Sequence, residues 1–309
     1  MKNKRSWFAF PFVIWMALFV VIPILIMAVY AFTAADPVTN AVSPTLANFT
    51  GMGIYLSVFL RSFWLAVIAT LVCLLIGYPV SYWMAKEGPR FQRLTMALIM
   101  LPMWMNFLLR TYSWMSILEN NGLLNQLFQN IGVIGLYNRI APFFVDLRNV
   151  FAAYFGGVST NFVPIDHFQF IGTPGAVVLG MVYNYLPFMI LPIYSVIVKL
   201  DGSLIEAARD LGADSARVFS KVIFPLSLPG ILSGVTMVFV PSVSTFAISN
   251  LLGGGNEMML GDLIELQFLG GAYDPHLGAA ISMVMMVIVV VCMVVMNHFG
   301  EGEEQAVML

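Results

Sequence analysis

Long apolar runs separated by short polar connections dominate the chain. A helix crosses the hydrocarbon of a bilayer in about 20 apolar residues, because a rise of 1.5 Å per residue must cover roughly 30 Å. Six stretches are long enough, at about 12–32, 59–85, 94–118, 174–198, 223–248 and 278–297. They predict an all-α membrane protein with six transmembrane helices. Residues 1–58 are expected to hold the first helix and an outer loop, 59–297 a five-helix core, and 298–309 a tail. The first run follows Lys2, Lys4 and Arg5 and exceeds the core of a cleaved leader, so it reads as a signal anchor; cleavage near Ala34 is the lesser alternative. Prolines at 23, 79, 102, 187, 192, 225, 229 and 241 fall within the spans, where each removes a helix donor and predicts a kink.

The connection from about Glu119 to Thr173 is long for a single domain. Within it, Val145 to Phe155 is apolar except for Asp146, Arg148 and Asn149, and is too short to span. An interfacial or re-entrant helix is expected there.

Basic residues orient the spans, since cytoplasmic loops hold the excess of Lys and Arg. One side receives Lys2, Lys4, Arg5, Lys86, Arg90, Arg93, Lys199, Arg209, Arg217 and Lys221, ten of the 14. The other receives Arg61, Arg110, Arg139 and Arg148. Both termini and the 86–93 and 199–222 loops are therefore expected in the cytoplasm. The outer side is acidic, with Asp36, Glu119, Asp146, Asp166, Glu257, Asp262, Glu265 and Asp274. That excess fits either an ordinary solvated face or a surface that favours cations. Asn48-Phe49-Thr50 forms a glycosylation triplet of a kind common by chance, and carries no weight.

Composition agrees with a membrane protein: 60% of residues are hydrophobic and 10% charged, against roughly 25% charged in a soluble domain. The net charge of −2 argues against a nucleic-acid partner. Cys73 and Cys292 lie in apolar runs and read as small buried hydrophobes rather than a disulfide. No metal-binding spacing surrounds His167, His276 or His298, and no phosphate-binding Gly-rich loop ending in Lys-Ser/Thr is present, so nucleotide chemistry is expected on another chain.

The segment 201–229, DGSLIEAARDLGADSARVFSKVIFPLSLP, is the most informative. Ser203-x-x-Glu206 has the spacing of a capping box, and Gly212 stands where a left-handed residue would end a helix. A two-turn helix over Leu204 to Leu211 is predicted, followed by a second helix capped by Asp214 or Ser215. Glu206-Ala207-Ala208, three residues, Gly212, nine residues, then Val222-Ile223-Phe224-Pro225 resembles the EAA loop of ABC-importer permeases. Val222 stands for the usual Ile and Phe224 for the usual Leu. The resemblance implies a type I importer permease whose coupling helix docks in a cleft of a separate ATPase. Glu206, Ala207, Ala208, Arg209, Asp210 and Gly212 would carry that contact, and ATP and Mg would bind the partner, leaving this chain without a cofactor and non-catalytic.

The similarity continues through Phe107-Leu108-Leu109-Arg110-Thr111-Tyr112, Tyr183-Asn184-Tyr185-Leu186-Pro187 and Gly261-Asp262-Leu263-Ile264-Glu265, which resemble the B-type subunit of spermidine/putrescine permeases. The chain is longer than is usual in that family between about Tyr137 and Ile171. The family implies a C-type permease partner, an ATPase dimer and an extracytoplasmic binding protein. A flexible polycation calls for carboxylates beside its amines and aromatic faces along its methylenes. Trp104, Tyr112, Trp114, Glu119, Tyr183, Tyr185, Asp262 and Glu265 are the candidates, although each fits equally a helix cap or an interfacial anchor. Arg110 is out of place in a cation path and is expected to pair with an outer carboxylate or to gate. Rival readings are a permease for iron, thiamine, an oxyanion or an amino acid, and a secondary transporter or channel. The latter would need ionisable residues in mid-span, and those are nearly missing here.

Overall fold

The computed structural model describes residues 4–35, 42–155, 160–271 and 273–307. Lys2, Asp36 and the last two residues of the expected tail lie outside them. The chain begins with α1 (Lys4–Met16), a π-helical turn at Ala17–Val21 and α2 (Ile22–Ala31), forming one rod. A short antiparallel pair follows, β1 (Thr33–Ala35) against β2 (Val42–Pro44), with Ala34 opposite Ser43. Asn48, in α3 (Ala47–Thr50), donates its amide to Ala31 O at 3.0 Å and Thr33 O at 2.9 Å, satisfying carbonyls at the end of α2.

The bundle is built on α4 (Leu56–Lys86), α9 (Pro174–Ile197) and α12 (Phe224–Ser244), which pack on one another throughout their lengths. Between α2 and α12 runs α15 (Pro275–Val307). Small residues set the close approach. On α12, Gly230 and Gly234 form a Gly-x-x-x-Gly stripe, and a Cβ on Gly230 would stand 2.9 Å from Pro192 O of α9. Buried hydroxyls join the same helices: Ser81 of α4 donates to Ile190 O of α9 at 3.0 Å, and Tyr78 meets Ser227 of α12 at 3.0 Å. The second bond gives the buried Tyr78 hydroxyl its partner, while Ser81 and Ser227 also donate to Gly77 O and Phe224 O of their own helices at 2.8 Å.

Two expected spans are broken. The stretch 94–118 divides into α5 (Pro89–Met100), a 3₁₀ turn at Leu101–Trp104 and α6 (Phe107–Leu118), with a 92° bend between the halves. Met105 is extended at ψ 148°, and Asn106 Oδ1 accepts from Leu108 N at 2.8 Å, so α6 starts afresh with its own cap. The span expected at 223–248 ends at Ser244, where Thr245 is extended and a separate helix resumes further on. Among the described residues, five helices are thus long and apolar enough to cross a membrane, and six if the bent pair counts as one. The other four spans match their expected positions, with α15 continuing as helix to Val307.

The long connection is helical. It holds α7 (Leu123–Asn130) and α8 (Val133–Phe155), so the helix expected at 145–155 is twice that length. Residues 160–168 return alongside both helices. Asn149, Asn138 and Asn125 bind the backbone of Thr160, Ile165 and Phe168 in turn, each through its amide NH₂ and its carbonyl oxygen at 2.8–3.0 Å. The side-chain amides replace the neighbouring strand that this extended segment lacks. Tyr137, Phe128, Phe168 and Phe170 stack beneath, with Tyr137 and Phe168 centroids 5.4 Å apart.

Candidate functional site

The connection after α9 forms α10 (Gly202–Asp210), then α11 (Ser215–Val218) and a π-helical turn into α12. Its start differs from the expected capping box. Asp201 is the cap, accepting from Ser203 N at 2.9 Å, so the helix begins two residues before Leu204 and Glu206 is left exposed. Asp201 wins because a carboxylate two residues ahead of the free amide also favours the positive helix end. The Ser203 amide holds the Asp201 carboxyl below the usual carboxylate range.

The end of α10 is as expected. Gly212 has φ +81°, donates to Arg209 O at 2.8 Å, and is followed by Ala213 donating to Ala208 O at 3.1 Å. These two bonds complete a Schellman motif. Asp214 caps α11 by accepting from Arg217 N at 2.8 Å. The result is a rigid knob. Glu206, Ala207, Arg209, Asp210 and Gly212 face outward, whereas Ala208 is turned half inward. Leu211, at the tip, is 89% exposed. Nothing in its residue type marks it, since an apolar side chain more often turns inward.

At the other end of α12, α13 (Ala247–Leu252) and α14 (Leu260–Leu269) enclose a cleft of about 280 Å³. Asp262 and Glu265 line it together with Glu257, Ser249 and Asn250. Asp262 Oδ2 accepts from Met259 N at 2.7 Å, capping α14, while Oδ1 is buried without a partner among the described residues. Burial, with the charge of Glu265 adding to it, pushes the Asp262 carboxyl up to about 6. Glu257 is paired with Arg61 of α4, whose Nε is 3.5 Å away and whose Nη1 donates to Asn256 O at 3.1 Å. Glu257 went unchosen because its partner is nearly two hundred positions away in sequence.

The remaining candidates are not gathered into this cleft. Glu119 is exposed at the end of α6, where its carbonyl accepts from Gly122 N at 2.8 Å. Trp104 is 83% exposed and lines a separate groove beside Gln92, Met96 and Tyr194. Tyr112 is exposed on α6. Trp114 and Tyr183 meet edge to face at 5.3 Å, and Trp114 packs against the core around Met181 and Leu252. Tyr185 donates to Pro241 O at 3.5 Å and stands within electrostatic range of Arg110. Arg110 is 8% exposed, and its Nε and Nη1 have no partner among the described residues. The expected pairing with an outer carboxylate is therefore not formed within those residues.

The family described as binding-protein-dependent transport system inner membrane component matches residues 77–301. The spermidine/putrescine transport system permease protein PotB of Escherichia coli (strain K12) is 35% identical over 277 residues, covering 89% of this chain and 90% of that protein. The fold is similar to a chain of a bacterial ABC transporter involved in the import of the acidic polysaccharide alginate, at TM-score 0.72, 14% identity and 96% coverage of both chains. A second structure of a bacterial alginate ABC transporter, in complex with alginate pentasaccharide-bound periplasmic protein, matches at TM-score 0.64 and 14% identity, over 96% of this chain and 94% of that one.

Proposed function

Because the chain belongs to the family of binding-protein-dependent transport system inner membrane components, we propose that it passes polyamines of the spermidine/putrescine class through the bacterial inner membrane. As a member of that family it is a multi-pass, non-catalytic permease subunit of an ABC importer, with ATP hydrolysed by a separate ATPase subunit. The polyamine reading is carried by the identity to the spermidine/putrescine permease along nearly the whole chain. The fold does not choose the substrate, since the neighbours of the same architecture serve an acidic polysaccharide.

In this reading the knob at Gly202–Asp210 faces the cytoplasm and couples to the ATPase through Glu206, Ala207, Arg209, Asp210, Gly212 and the tip of Leu211, with Ala208 beneath them. A helix capped at both ends transmits displacement as a unit, so closure of an ATPase dimer on ATP and Mg would tilt the bundle it is joined to. This chain itself holds no cofactor. The other partners are a C-type permease subunit, an extracytoplasmic binding protein on the outer face, and lipid around α1, α2 and α15. Both termini lie in the cytoplasm. The cleft of Asp262 and Glu265 supplies carboxylates for an amine on the outer side. Only a weak, transient site is needed there, since the binding protein supplies the affinity. Arg110, with no carboxylate partner among the described residues, repels a polycation and favours a gating role beside Tyr185.

Reconstituted uptake by the complete complex tests this. Spermidine and putrescine are expected to be transported with ATP, and an anionic or neutral solute is not. Failure with polyamines overturns the substrate while leaving the family intact.

A further inference from the structure

One face of α8 is fully accounted for and the opposite face is not. Ile134, Asn138, Ala141, Val145 and Asn149 turn inward, toward the returning segment 160–168. At about 100° of arc per residue, the helix presents a second apolar stripe directly opposite. It consists of Leu136, Ile140, Phe143, Leu147, Val150 and Phe151, recurring at intervals of three and four. Phe143 is 66% exposed and Leu147 44%. Arg139 and Arg148 flank the stripe on its two sides, both exposed. Arg148 is steadied by donating to Thr160 Oγ1.

The stripe is held rigidly. The clamps at Asn138 and Asn149 are separated by about 16 Å along α8, at 1.5 Å per residue. Together with Asn125 they fix the whole hairpin to the end of α6. An apolar surface of this size on a fixed element needs a permanent occupant. A soluble protein that docks and leaves in each cycle would return these side chains to water every time. The bilayer is always present beside a chain with spanning helices, and the flanking guanidinium groups complement lipid phosphates. They also account for two of the four basic residues on the side of the membrane that otherwise carries few.

We propose that the outward stripe of α8 lies in the headgroup and upper acyl region of the leaflet at the end of the bundle where α6 terminates, which is the outer leaflet in the orientation given above. The hairpin is then a non-spanning anchor that grips the membrane beside the bundle. Arg139 and Arg148 reach phosphates on either side, and the phenylalanines enter the acyl boundary.

Nitroxide-labelled single cysteines at Phe143, Leu147 and Asp146 test the proposal. The full chain, assembled with its partner subunits in nanodiscs of phosphatidylcholine and phosphatidylglycerol, carries Cys73→Ala and Cys292→Ala. Collision with lipid-soluble oxygen, relative to a water-soluble nickel chelate, is expected to be several-fold higher at 143 and 147 than at 146. Equal access of the chelate to all three positions would place the stripe in water and overturn the proposal. Protection of 143 and 147 from both reagents would mean that a protein subunit covers them, which overturns it equally.

Discussion

Gly234 of α12 rests against Met189 of α9 so closely that a Cβ at 234 would stand 2.8 Å from Met189 Sδ and 3.1 Å from its carbonyl oxygen. On α4, a Cβ at Gly77 would stand 3.0 Å from Met189 Cγ. Three spanning helices therefore converge on one flexible, fully buried side chain. Methionine suits the place because its unbranched thioether fills an irregular gap.

Gly234→Val is expected to destabilise the bundle by about 1–3 kcal/mol, the usual range for overpacking a filled interior. The contact is with backbone as well as side chain, so rotation of Met189 cannot relieve it. Thermal unfolding in detergent, followed by intrinsic fluorescence, should fall for Gly234→Val and stay level for Gly53→Ala, where nothing lies within 4 Å.

At the knob, Gly212→Val forces a β-branched residue to φ +81°, at a cost of about 1 kcal/mol or more. That is too little to unfold a large bundle but enough to misplace α10. The variant should insert normally and lose ATPase association in pull-down. Leu211→Ser should do the same, since it removes the exposed apolar tip and adds no charge at the negative end of α10. Asp201→Ala should weaken α10 by about 0.5–2 kcal/mol. Glu206→Ala should leave helix content unchanged and act through docking alone, because Glu206 is not the cap. Normal transport by Gly212→Val would defeat the coupling assignment.

The cleft carries a pH dependence. Burial raises the Asp262 carboxyl to about 6, above its value in the unfolded chain. The folded state therefore binds the proton more tightly, and the group costs stability as pH rises from about 4 through 6. Asp262→Asn, which keeps an acceptor for Met259 N, should raise the unfolding temperature at pH 7.5 and make little difference near pH 4. Polyamine uptake by wild type should fall as pH drops through about 6, and the variant should show a lower maximal rate without that limb. Glu265→Gln should slow uptake with little change in the half-saturation concentration.

Orientation has its own test. Cysteines introduced at Arg90 and Ala213 should react with impermeant reagents only from the cytoplasm, and those at Asn161 and Gly254 only from outside. Outside labelling at Ala213 would overturn both the topology and the coupling reading.

The sequence by itself determined what depends on local pattern and on the solvent. Apolar run length located the spans because backbone groups in hydrocarbon must be satisfied within a helix. The conformation of Gly212 and a cap at Asp214 or Ser215 were legible because turn chemistry is decided within a few residues, and the structure places the cap at Asp214. Tertiary structure decided everything that depends on which distant groups meet. The 92° break after Trp104 lies in a run whose hydropathy continues unbroken, and it follows from an extended Met105 and the Asn106 cap. Arg61 meets Glu257, and Asn138 meets Ile165, through contacts that no periodicity announces. The candidate residues were chosen by type, yet of them Asp262 and Glu265 alone line the cleft between α13 and α14. Side-chain type tells what a residue can bind. Only helix packing, set here by Gly230, Gly234 and Met189, decides which of those residues face one space.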